Sequence, residues 1–94
     1  MDWRTLNYLA IYLVHMGETE KALETSEEAL ELSGRHQEAL FRAALVYSAL
    51  EDDEATLSLL EELIAKDSSY RQFLEVEFGS LAEVERFKNL VVAQ

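Results

Sequence analysis

The sequence has no proline, no cysteine and only three glycines, Gly17, Gly34 and Gly79. Without proline, nothing in the chain locks the backbone out of a helix. The glycines mark three breaks between long stretches rich in Ala, Leu and Glu, a composition that predicts an all-α chain. The absence of cysteine excludes a disulfide framework, a thiolate metal site and a thiol nucleophile. Basic residues are few, and Lys21, Lys66 and Lys88 are its lysines. The formal net charge is −11, and the pI is near 4.4. A field of that sign repels phosphate backbones and anionic lipid, so the expectation is no nucleic acid and no membrane surface as partner. It favours a basic or amphipathic partner, and an acid-rich, lysine-poor surface also suits a salt-rich cytoplasm. No stretch reaches the ~20 apolar residues of a membrane span. The start, Met1-Asp2-Trp3-Arg4, lacks the pattern of a signal peptide, so a cytoplasmic protein is expected.

With 94 residues, 49% of them hydrophobic, the chain suits one small folded domain over residues 1–94. Leu6, Leu9, Ala10, Leu13 and Val14 carry the three-four spacing of a helix face between Trp3 and Met16. Gly17 is a candidate left-handed terminator for that helix. Thr19 to Ser33 repeats the pattern, with Ala22, Leu23, Ser26, Ala29 and Leu30 on one face. Glu20, Glu24, Glu27, Glu28 and Glu31 lie opposite, where solvation is expected. A third helix is expected over Gln37–Leu50. A fourth runs from an Asp53 cap to Lys66, and a short fifth lies around Ser69–Val76. Ser80-Leu81-Ala82-Glu83 has the form of a capping box opening a last helix that reaches about Ala93. The small residues of the second helix have a physical reading. Ala22 and Ala29 let a neighbouring helix approach closely, with Ala10 on the facing side, while Leu23 and Leu30 fill the flanks.

Shifted by 34 residues, the chain matches itself. Leu6 meets Leu40, Ala10 meets Ala44, Glu20 meets Glu54, Leu23 meets Leu57, and Glu27-Glu28 meets Glu61-Glu62. The stretch LNYLAIYLVHMGETEKALETSEEALEL resembles the tetratricopeptide repeat, whose unit is two antiparallel helices of about 34 residues. Leu6, Leu9, Ala10 and Leu13 match the first helix of that repeat, Gly17 its turn, and Ala22, Leu23, Ala29 and Leu30 its second helix. Residues 3–36 form the first copy. Residues 37–70 resemble a second, degenerate one, with Glu51 at the turn glycine and Thr56 and Leu63 at small positions. The segment FGSLAEVERFKNLV is similar to the closing segment that follows such arrays in bacterial signalling and other multidomain proteins. Residues 71–94 are then expected to cover the open apolar face of the last repeat. The resemblance implies an α-α superhelix of two helical hairpins with C-terminal capping helices.

Catalytic patterns are absent. His15 and His36 are the histidines, and neither lies in a zinc-protease frame. No Gly-rich phosphate loop exists. The pairs Glu27-Glu28 and Glu61-Glu62 have no loop to wrap a cation. No enzyme, cofactor or metal is therefore expected. The family resemblance implies a non-catalytic scaffold that binds a protein or peptide on its concave face. On that resemblance the lining residues are Arg4, Asn7, Tyr8, Ile11, Val14 and His15 from the first helix, and Glu38, Phe41, Arg42, Leu45 and Ser48 from the third. Some relatives clamp a peptide's terminal carboxylate there. This chain has Asn7 and Arg42 at clamp positions but Ile11 and Glu38 at others, which argues against acidic tails. An alternative cover for Phe41, Leu45 and Ile11 is the fifth helix or a neighbouring subunit. The corresponding alternative function is homo-oligomerisation at the end of a larger protein.

Overall fold

The computed structural model describes residues 2–92, which are helical and contain no strand. Six α-helices follow one another: α1 (Trp3–His15), α2 (Thr19–Leu32), α3 (Gln37–Ala49), α4 (Asp53–Lys66), α5 (Arg71–Glu77) and α6 (Glu85–Val91). Short 3-10 turns at Ser68–Tyr70 and Gly79–Leu81 precede α5 and lie ahead of α6. Helix α1 packs most extensively on α2, and α3 on α4, while α3 also touches both α1 and α2. The body measures 37 × 25 × 18 Å. Its thinnest dimension is about two helix layers deep. Among the described residues, no helix is long and apolar enough to cross a membrane.

The first three helices end in the same way. Glu18 N donates to Leu13 O at 2.9 Å and Gly17 N to Val14 O at 3.0 Å. Arg35 and Gly34 repeat these bonds to Leu30 and Glu31 at 2.9 and 3.1 Å, and Asp52 and Glu51 to Tyr47 and Ser48 at 3.0 Å each. This is the Schellman termination, which needs a left-handed residue just beyond the helix. Gly17 and Gly34 supply it with φ of 78° and 66°, and Glu51 is held at φ 61° in the same role. Glutamate at this position therefore keeps the turn's hydrogen bonds and places the cost in the Glu51 backbone.

Two helix starts differ from the sequence reading. Asp52, not Asp53, caps α4: its carboxylate accepts from Ala55 N at 3.2 Å. Ser80 to Glu83 form no capping box. Phe78 and Leu81 are both buried, and the chain between them winds into the 3-10 turn at Gly79–Leu81. Helix α6 starts later, at Glu85, behind Val84, which has no capping side chain. The end expected near Ala93 lies outside the described residues.

The core has two parts. The larger joins Leu30 of α2 to Leu40, Ala43 and Ala44 of α3, Leu57, Leu60 and Leu63 of α4, Leu74 of α5, and Phe78, Leu81 and Phe87. Leu90 and Val91 pack against it from α6. Residues 71–92 thus cover the α3–α4 core. The smaller part is Ala10, Ala22 and Val46, flanked by Ile11, Leu13, Val14, Leu23 and Leu50. Ala22, Ser26 and Ala29 are all 0% exposed, as the small-residue stripe of α2 predicts.

Glu27, expected to be solvated, and acidic residues of α4 are tied to distant parts of the chain. Glu27 on α2 accepts from the Tyr47 hydroxyl at 2.6 Å. Arg35 forks onto Glu62 with contacts of 2.7 and 2.6 Å, and Lys66 donates to the Arg35 carbonyl. Arg86 of α6 bridges Glu61 and Glu54 of α4 at 2.7 and 2.8 Å. Hydrogen bonding to these arginines holds the Glu61 and Glu62 carboxyls below their usual range.

Candidate surface between the first, third and fifth helices

Residues 38, 41, 42, 45 and 49 of α3 follow three-four spacing and form one stripe of that helix. The stripe borders two clefts. One, of about 240 Å³, lies between α1 and α3 and is lined by Ile11, Val14, His15, Leu45, Val46 and Ala49. The other, of about 440 Å³, lies between α3 and α5 and is lined by Glu38, Phe41, Arg42, Tyr70, Phe73 and Glu77. Seven of the residues expected to line a recognition face border one or other cleft: Ile11, Val14, His15 and Leu45 the first, and Glu38, Phe41 and Arg42 the second.

The remaining four have different surroundings. Arg4 approaches Glu38 at 3.8 Å, and its guanidinium lies 4.3 Å from the Trp3 ring centroid. Tyr8 is 61% exposed, and the Arg42 guanidinium stands 5.9 Å from its ring. Asn7 is 3% exposed and belongs to the interior. Ser48 borders neither cleft, and its carbonyl serves the turn after α3.

Phe41 is half-covered by the C-terminal segment. Its ring centroid lies 5.3 Å from Tyr70, 6.2 Å from Phe73 and 6.0 Å from Phe78. The expectation that α5 covers apolar residues of α3 thus applies to Phe41; Leu45 and Ile11 face the other cleft. Burial pushes the Tyr70 phenol above its ordinary range, with the negative charges of Glu38 and Asp67 adding to the effect. Arg42 sits between the two clefts' borders with its guanidinium 5.6 Å from the Phe41 ring. Its Nε is buried and has no hydrogen-bond partner among the described residues. A buried donor in that state favours any arrangement that brings it an acceptor.

The sequence reading did not single out Tyr70, Phe73 and Glu77. Their signal was the pair Tyr70 and Phe73, spaced three apart on a segment otherwise polar on that side. Its orientation depends on Leu74 and Phe78 entering the core, a tertiary event.

The histidines serve helix ends. His36 caps α3, its Nδ1 accepting from Glu38 N at 3.1 Å, and its ring lies 5.1 Å from Trp3. His15 Nδ1 lies 2.9 Å from the Ile11 carbonyl. Among the described residues, no three His, Asp or Glu side chains are grouped so as to hold a metal ion. The α1–α3 cleft is lined mostly by apolar residues and the α3–α5 cleft by aromatic and charged ones. Compared with protein-family models, with curated proteins and with solved structures, the chain matches none.

Proposed function

We propose that this chain is a tetratricopeptide-like recognition domain of two helical hairpins, in which the α1–α3 face and its α5 border bind a protein or peptide partner without catalysis. The observation that carries this reading is the stripe on α3. Phe41 and Leu45 pack against the edge of the α3–α4 interior and stay partly exposed, and with Arg42 each borders a cleft. Large apolar side chains left partly exposed at the rim of a cleft are suited to contact with a partner. The termination geometry recurring at Gly17, Gly34 and Glu51 supports the repeat reading of the fold.

The test selects peptides from a display library on the folded domain and compares binding to the parent and to Ile11→Ala paired with Leu45→Ala. Truncating anchors of this kind typically costs more than ~1 to 2 kcal/mol, so affinity falls about tenfold or more while the cooperative melt survives. Selected peptides that bind the double variant as tightly as the parent refute the reading.

A second reading, self-association, has its own observation. Tyr8, Tyr12 and Met16 fall on one stripe of α1 at 61%, 58% and 60% exposure. Light scattering at two widely separated concentrations distinguishes the readings: a mass that rises with concentration, and no longer does so in Tyr12→Ser, favours self-association.

A further inference from the structure

The cleft between α3 and α5 combines a group of aromatic rings with a carboxylate rim. Tyr70 and Phe73 lie 5.9 Å apart, and both lie within reach of Phe41. The rings are tilted to one another by 49° to 66°. They therefore meet tilted toward edge to face rather than stacked, so each contact covers part of one ring's face. Phe73 is 44% exposed, so part of its ring meets solvent. Glu38 and Glu77 line the same cleft. Glu38's contact with Arg4 is long, at 3.8 Å, and makes no hydrogen bond.

Aromatic faces attract cations through the ring quadrupole, and carboxylates beside them add a full negative charge. The chain demonstrates the first effect on itself: the Arg42 guanidinium rests 5.6 Å from the Phe41 centroid and 5.9 Å from Tyr8. Arg42 also lines the α3–α5 cleft, so one positive charge stands there beside the two carboxylates. Among the described residues, no cation lies over Tyr70 or Phe73 on the α5 side. The overall charge of −11 draws basic chains toward the surface and repels acidic ones.

The geometry points to a cation-recognition cleft: Phe41, Tyr70 and Phe73, between Glu38 and Glu77, take an arginine side chain from a basic segment of a partner protein. Arginine fits better than lysine because its planar, weakly hydrated guanidinium lies flat on a ring and forks onto a carboxylate. This inference rests on the recognition reading of the α1–α3 face and names the chemistry of what that face recognises.

The test is calorimetric titration with acetylated, amidated octapeptides in which glycine alternates with arginine, lysine, citrulline or glutamate. Citrulline keeps the shape of arginine and removes its charge. The arginine peptide binds best, the lysine peptide several-fold less tightly, and the citrulline peptide at least about tenfold less tightly. Phe73→Ala weakens the arginine peptide at least about fivefold. Glu77→Gln weakens it more than Glu24→Gln, which removes the same charge from the outer face of α2. If Phe73→Ala disturbs the melt, Phe73→Leu keeps the bulk, removes the π face and shows the same loss. Affinity that follows net charge alone, equal in Glu77→Gln and Glu24→Gln and unchanged in Phe73→Ala, overturns the inference. A preference for the glutamate peptide overturns it too and assigns the cleft to the unpaired Arg42 Nε. Equal binding of arginine and citrulline peptides, lost in Ile11→Ala paired with Leu45→Ala, overturns the cation site while leaving the recognition face standing. Absence of binding by all four peptides overturns it as well.

Discussion

Helices α1 and α2 meet through Ala10 and Ala22, backed by Val46 and by leucines and isoleucine that remain partly exposed. Helices α3 and α4 meet through Leu40, Ala43, Leu57, Leu60 and Leu63, and four further hydrophobic residues from the C-terminal segment, Leu74, Phe78, Leu81 and Phe87, enter the same interior. The first pair gains closeness and little buried volume; the second gains volume. Burial stabilises in proportion to apolar area removed from water, about 25 cal/mol per Å². The second half therefore holds most of the hydrophobic stabilisation, and the first half is tied to it through α3. Exposed ion pairs reinforce the same asymmetry, since Arg86 joins α6 to α4 while Arg35–Glu62 anchors the α2–α3 link to α4. Such pairs contribute only about 0.2 to 1 kcal/mol each, so they orient more than they stabilise.

The strongest way to break this contrast is Phe87→Ala. The ring is 1% exposed within the larger interior. Its loss costs about 3 to 5 kcal/mol, the usual range for a buried phenyl ring. Chemical denaturation gives the value. An exposed control on α1, Tyr12→Ala, stays within about 0.5 kcal/mol. Equal losses at the two positions show that Phe87 adds nothing to the second half's interior.

The second change overfills rather than empties. Ala22 has no room beside α1, and Ala22→Leu costs about 1 to 3 kcal/mol through forced separation of α1 and α2. Native-state hydrogen exchange locates the damage. Amides of residues 3–32 lose protection first, while those of α3 and α4 keep theirs. Uniform loss across the chain shows instead that both helix pairs open as one unit.

These cases bear on what is legible in a sequence. The bounds of α1 to α4 follow from local spacing and from Gly17 and Gly34, because helix termination and face burial are settled within a few residues. The small residues of α2 are legible for the same reason. Asp52 and Asp53 are adjacent acids with equal capping chemistry, and only the backbone entering α4 selects Asp52. Ser80 to Glu83 satisfy a capping pattern locally, but Phe78 and Leu81 both bury and the backbone between them follows. The partners of Glu61 and Glu62 lie 25 and 27 residues away in sequence, beyond any periodic signal. For the candidate surface, the α1 and α3 members came from the repeat resemblance. The α5 members required knowledge of how a seven-residue helix is turned by its buried Leu74.

The turns sharpen the comparison between the two helix pairs. Gly17 and Glu51 terminate α1 and α3 with the same hydrogen bonds, and only one of them is at ease with a positive φ. Glu51 is exposed, so its side chain adds no packing. Relieving the left-handed penalty of ~1 to 2 kcal/mol is partly offset by the greater freedom of glycine in the unfolded chain. Glu51→Gly therefore stabilises by about 1 kcal/mol by these opposing terms. Gly17→Ala destabilises by a similar amount although nothing lies within 4 Å of the added carbon. A neutral result at both positions shows that the turns relax without cost.

The smallest expected effect concerns the contact that fastens the first pair to the second from outside. The Tyr47 hydroxyl donates to Glu27 across α3 and α2 at 2.6 Å. Tyr47→Phe removes that bond and keeps the ring, at a cost of about 0.5 kcal/mol, the low end because the bond is exposed. The pH dependence gives the stronger signature. Burial, with the Glu27 carboxylate beside it, pushes the Tyr47 phenol up to about 12 from an ordinary 10.0. The folded state thus favours the protonated phenol. Its contribution is fully present below the ordinary tyrosine range and is lost as pH rises through about 12. In denaturant titrations across that alkaline window, stability falls with pH in the parent and falls less steeply in Tyr47→Phe. A shallower slope remains in the variant, since the Tyr70 phenol is also raised. Identical slopes in parent and variant show that Tyr47 titrates alike in the folded and unfolded chains, and that α2 is held to α3 by packing alone.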